Sequence, residues 1–114
     1  MPYLKIQTNQ ALDETARQAL MKKASATIAE QLGKPENYVM VTVQAAQSML
    51  FAGTDGPLAY LELKSIGLPE SATQNLSDSL CTLMAQALDI EKNRTYIEFT
   101  DAPRHMWGWN GGTF

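Results

Sequence analysis

The chain has one cysteine and one histidine in 114 residues, Cys81 and His105. An internal disulfide is therefore excluded, and no cluster of zinc-ligand spacing can be assembled from Cys and His. The expectation is chemistry that uses no metal and no cofactor. Basic residues are also in short supply, nine Lys and Arg against twelve Asp and Glu, for a formal net charge of −3 and a pI near 5.0. Nucleic acid is a poor partner for such a chain, because phosphate binding needs a basic face. No stretch approaches the ~20 apolar residues of a membrane span, and the first residues lack the charged and apolar regions of a signal peptide. These absences point to a soluble, cytoplasmic protein with neither nucleic acid nor membrane as partner, with secretion lacking a signal peptide left open. What is present is ordinary globular usage, 45% apolar and 18% charged. The length suits a single domain over residues 1–114 and is too short for two.

Pro2 stands directly behind Met1 and ahead of the alternating run Tyr3-Leu4-Lys5-Ile6-Gln7-Thr8. A small residue in second place lets methionine aminopeptidase remove Met1, which would leave a free proline nitrogen at the start of a strand. That nitrogen is a secondary amine, and an α-amino group titrates near ~8 before its surroundings act on it. Apolar walls disfavour its charged form and bring it toward neutrality, where it can serve as a general base. The alternative is a processed start whose proline merely precedes an edge strand.

Beyond the first strand, Asn9 to Asp13 supplies capping chemistry for a helix. Leu12, Ala16, Leu20, Ala24, Ile28 and Leu32 recur every four residues along it, with Ala19 and Thr27 widening the stripe. Gly33 ends that helix, Pro35 prevents its resumption, and Tyr38 to Val43 is a β-branched strand. A short strand around Met49-Leu50-Phe51 and a turn over Gly53 to Pro57 follow. The same order then begins again. Leu58 to Ile66 reads as a strand, Pro69 and Glu70 as a helix start, Leu76, Leu80, Leu83, Met84, Ala87 and Leu88 as an apolar helical face, and Thr95 to Thr100 as a strand. The fold class is α+β, two β-α-β repeats in a split β-α-β, ferredoxin-like sheet with both helices on one face. The other sheet face, bare and partly apolar, calls for cover by oligomerisation. The tail from Ala102 to Phe114 holds Trp107, Trp109 and Phe114 among glycines and is too apolar to hang free.

Met1-Pro2 opening a strand, Gly33-Lys34-Pro35-x-x-Tyr38, Lys64-Ser65-Ile66-Gly67, Tyr96-Ile97 and the ending Gly108-Trp109-Asn110-Gly111-Gly112-Thr113-Phe114 together resemble the macrophage migration inhibitory factor family of the tautomerase superfamily. The resemblance covers essentially the whole chain. It implies a homotrimer whose three sheets wrap into a barrel, with a site at each subunit boundary. There the processed N-terminal proline moves a proton between carbon and oxygen of keto and enol acids such as phenylpyruvate. On this chain Pro2 takes that role, and the implied partner is a small aromatic keto or enol acid. Lys34 matches the lysine near the substrate carboxylate, and it is equally a cation favourable to a helix C-terminus. Ser65, in the same motif, is expected among the substrate contacts, and Ile66 matches a position that offers its backbone N–H to substrate while packing in a strand. Tyr96 would come from the neighbouring subunit, and Tyr3, Tyr38, Trp107, Trp109 and Phe114 would line an aromatic pocket.

The chain departs from the family pattern in two places. Some members carry a Cys-x-x-Cys where this sequence has Leu58 and Leu61, which excludes a dithiol reaction here and leaves Cys81 as a small core residue. Glu98 stands where animal members have an asparagine that reaches the pocket. A carboxylate there would favour protonated Pro2 and repel an anionic ligand, unless it points away or pairs with a cation such as Arg94. No arginine matches those of the branches that handle diacids, so Lys34 is the evident carboxylate partner and an aromatic monocarboxylate the expected substrate. The leading expectation is a keto-enol tautomerase. Its alternative is a cytokine-like signalling or interaction protein with a vestigial pocket.

Overall fold

The computed structural model describes all 114 residues. Two strand-helix-strand units follow one another, β1 (Tyr3–Thr8), α1 (Glu14–Leu32) and β2 (Met40–Gln44), then β3 (Ala59–Ile66), α2 (Thr73–Leu88) and β4 (Thr95–Ala102). A small hairpin of β5 (Gly108–Trp109) and β6 (Gly112–Thr113) closes the chain. The expected segment at Met49–Phe51 forms no strand, only an isolated bridge from Phe51 to Thr54.

The ends of α1 follow from local chemistry. Asp13 accepts the Ala16 N–H at 2.8 Å and so caps the first turn. At the other end Gly33 takes φ 62°, a left-handed conformation that costs glycine nothing, and its turn sends Lys34 across the end of the sheet. In β5–β6 the left-handed pair Asn110 and Gly111 makes the tight connection that a two-residue hairpin requires.

The sheet order is β2-β1-β3-β4, with β1 parallel to β2, β3 parallel to β4, and β1 antiparallel to β3 at the centre. This corrects one part of the expected arrangement. The α+β class and the two repeats hold, but each unit's strands are hydrogen-bonded neighbours and are not split by a strand of the other unit. The central pair of first strands is common to both arrangements; the difference lies in the crossovers, each of which returns the chain to the free edge of its own first strand and not to that of the other unit.

Leu4, Ile6, Leu61 and Leu63 are fully buried against Leu20, Ala24 and Ile28 of α1 and Leu76, Leu80, Leu83 and Met84 of α2. Cys81 is buried, as its place on the apolar face of α2 suggested. Ala16, Ala19 and Ala87 are exposed, so the buried stripes are narrower than the alanine spacing implied. On the helix-free face, register places Thr42, Lys5, Glu62 and Glu98 in one row and Gln44, Gln7, Tyr60 and Tyr96 in the next. That face is therefore largely polar. Its exposed apolar side chains, Met40 and Tyr96, lie on the two edge strands, and Leu50, Met106 and Trp109 are exposed outside the sheet.

Candidate active site

Pro2 is fully buried where β1 begins. Its carbonyl accepts the Met40 N–H at 3.0 Å, which ties this start to β2. One step beyond the Tyr3–Lys64 pair, the antiparallel register sets Pro2 beside Ser65, whose side chain is also fully buried. Lys34, half-buried, comes over this point from the end of α1. Its ammonium donates to Ser65 Oγ at 3.0 Å and to the Ile66 carbonyl. Ser65 Oγ in turn lies 3.3 Å from that carbonyl and donates to it. The structure thus brings together Pro2, Lys34, Ser65 and Ile66.

The amine of Met1, one residue before Pro2, reports the field of this corner. Burial first, then the charge of Lys34 and its hydrogen bond, then the charge of Arg104, lower it from 8.0 to about 6. Arg104 is a residue the sequence reading missed. It stands in a short 3-10 turn just after β4, among residues that attract notice for their aromatics. A cation two residues past Ala102, where the apolar tail starts, was the available signal.

A second cluster lies beside the first along the chain. Tyr38 meets Trp109 and Phe114 edge-on at 5.9 and 6.3 Å, and Trp109 stacks on Phe114 at 5.3 Å. The tail is held to itself by the Phe114 N–H, which donates to the Trp107 carbonyl at 3.2 Å. Tyr3 points to the opposite sheet face from Pro2, since neighbours along a strand alternate.

Tyr96 and Glu98 are not part of this corner. Tyr96 pairs in register with Tyr60, five residues before Ser65 on β3, which is about 16 Å away at the rise of a strand. Its ring packs against Phe51 at 4.6 Å. Glu98 accepts the Tyr60 hydroxyl at 2.9 Å, and the same hydroxyl is 3.2 Å from Glu62. Desolvation and the bond to Glu98, with the Glu62 charge, push the Tyr60 phenol up to about 12. Arg94 is not the partner of Glu98. Its guanidinium donates to the carbonyls of Phe51, Thr54, Gly56 and Pro57 and lies over the Phe51 ring. An apolar hollow of about 250 Å³ opens here, with Leu50, Phe51, Tyr60 and Tyr96 in its walls.

The corner at Pro2 can hold a carboxylate on Lys34 and a proton acceptor whose basicity is suppressed. No group of His, Cys, Asp and Glu residues is arranged to hold a metal ion, and no helix is long and apolar enough to cross a membrane.

Known proteins resemble this chain over its whole length. The family model described as macrophage migration inhibitory factor matches residues 1–114. The macrophage migration inhibitory factor homolog of Brugia malayi is 43% identical over all of this chain and 99% of its own. The mouse protein is 34% identical over the same shares. Among solved structures, the homologue from Prochlorococcus marinus superposes with a TM-score of 0.93 at 42% identity, covering 98% of each chain. The chain belongs to the macrophage migration inhibitory factor family of the tautomerase superfamily.

Proposed function

We propose that the protein is a cofactor-independent keto-enol tautomerase acting on an aromatic α-keto acid such as phenylpyruvate, with Pro2 as its base. The observation that carries this reading is the buried start of β1, where the terminal amine is lowered to about 6 beside Lys34. With Met1 in place the Pro2 nitrogen is a tertiary amide and has no basic lone pair. Removal of Met1 gives it one in the same corner. Burial and two nearby cations then keep the amine neutral at neutral pH, where a general base is most effective.

In the reaction, the Pro2 nitrogen takes a proton from the carbon between ring and carbonyl. The C–H electron pair becomes the enol double bond, the carbonyl π pair moves to oxygen, and that oxygen takes up a proton. That proton comes from the Pro2 ammonium, directly or relayed through a water, and its departure restores the free base. Lys34 pairs with the substrate carboxylate by a charge-assisted hydrogen bond, exchanging its contact with the Ile66 carbonyl. Tyr38, Trp109 and Phe114 offer faces and edges to the substrate ring. Tyr96 and Glu98 join the site from a neighbouring copy in a homotrimer, and the uncovered Met40, Leu50, Tyr96 and Met106 supply apolar area for its interfaces.

Two measurements test the reading. Met1-free protein, verified by intact mass, should convert phenylpyruvate and lose that activity when its amine is acylated. Sedimentation equilibrium should give three times the chain mass, and a monomer at micromolar concentration would remove the shared site. A second reading, a signalling protein, draws on the names of the animal relatives. A receptor-binding assay that is indifferent to acylation would favour it.

A further inference from the structure

We propose that Ser65 is a positioning residue, which fixes the Lys34 ammonium over the N-terminal amine and does not itself meet substrate. The expectation from sequence placed Ser65 among the substrate contacts. Its burial argues otherwise, for the side chain has no exposed surface through which a substrate atom could reach it. Its hydroxyl is instead engaged twice, accepting from Lys34 Nζ at 3.0 Å and donating to the Ile66 carbonyl, which Lys34 also reaches. Lysine is a flexible four-carbon stem bearing a point charge, and side-chain entropy favours its wandering into water. Two acceptors on one strand end, one of them rigid and buried, confine that charge to the corner. The hydroxyl also orders the site in time: when a substrate carboxylate draws Lys34 from the carbonyl, Ser65 can keep its hold.

The charged groups around the amine leave Lys34 as the one that Ser65 can govern. Glu36, on the turn after α1, is held by the Ser25 hydroxyl at 2.9 Å. Asp101, beside Ser65 in register on β4, accepts the Leu68 N–H at 3.0 Å. Lys64 projects from the opposite face of β3, and Arg104 and His105 are exposed on the turn after β4. Tyr38 is taken up by its contacts with Trp109 and Phe114.

The inference rests on the tautomerase reading only for its consequence in catalysis, so its test is a titration and not a turnover. The N-terminal amine of the isotope-labelled protein, whichever residue bears it, is followed by NMR across pH 5 to 9. Ser65→Ala should raise its pKa by about half a unit, a part of the fall from 8.0 to about 6, because burial, the larger cause, is untouched. Lys34→Met should raise it further. In the Lys34→Met background Ser65→Ala should add nothing, since the two act as one unit. A shift on Ser65→Ala that persists undiminished without Lys34, or no shift in the single variant, would overturn the proposal. Should Ser65→Ala fold poorly, Ser65→Cys keeps the volume with a weaker acceptor and should shift the amine in the same direction by less. An unchanged amine in folded Ser65→Cys together with an unchanged Lys34 side-chain resonance would equally sink it. Absence of phenylpyruvate turnover in all variants would count against the tautomerase reading alone.

Discussion

Where β1 begins and β3 ends, the charges of Lys34 and Arg104 act on a partly buried amine; where β3 and β4 begin, a phenol bridges two carboxylates beside an exposed aromatic ring. The ends of one sheet thus have opposite electrostatic characters, and the strand rise holds them about 16 Å apart. The first end lowers a base and can take a carboxylate, but it lacks Tyr96. The second end offers an aromatic wall and negative charge, but no proton acceptor of matched basicity. On the proposed tautomerase reading, which places Tyr96 in the site, neither end is complete, and a single rigid sheet cannot fold one upon the other. A second copy can supply the missing half, so the separation within the chain is itself an argument for assembly.

Breaking the first end should have the largest effect. Pro2→Ala in fully Met1-free protein is expected to lower kcat/KM on the order of 10²–10⁴, the usual contribution of a general base. Wild-type turnover in that variant would remove proline from the mechanism. At the other end, Arg94→Ala withdraws donors from four carbonyls of the turn that carries Phe51. We expect a loss of about 2 kcal/mol in urea unfolding, with the N-terminal titration unmoved. An amine that shifted with Arg94 would show the two ends to be coupled within one chain.

Smaller effects sharpen the contrast. Lys34→Ala should raise KM for a carboxylate substrate about tenfold and hardly alter it for the neutral ester, the loss of one charge-assisted contact. Equal effects on acid and ester would give Lys34 another task. Glu98→Asn should shift KM for an anionic substrate downward by only about a fewfold and move the ascending limb of kcat/KM to lower pH, because removing a carboxylate disfavours the protonated amine. An unchanged limb and KM would confine Glu98 to its bond with Tyr60.

Much of this was legible in the sequence where one residue type answers one local demand. Leu4 and Ile6 alternate with Lys5 because β1 has one covered face, Asp13 caps a helix, and Gly33 supplies a left-handed turn. Strand order was not legible, since a strand, helix and strand satisfy their own pattern whether or not another strand lies between them. The exposure of Ala16 and Ala19 escaped for a similar reason, as alanine fits either side of a helix. Within the site, Pro2 and Lys34 stood out by motif. The roles of Arg94, Arg104 and Tyr60 depend on groups 37 to 43 residues away in sequence or on the corner where distant segments meet, and no periodicity records such meetings.

The most direct test of the central claim is the pH dependence of kcat/KM for phenylpyruvate with Met1-free protein. A base must be deprotonated to act, so activity rises with pH through its pKa and levels above it. If the corner acts on Pro2 as it does on the Met1 amine, which it lowers from 8.0 to about 6, the limb should be centred near pH 6. A limb at the ordinary amine value of ~8, or no turnover at any pH, would contradict the account.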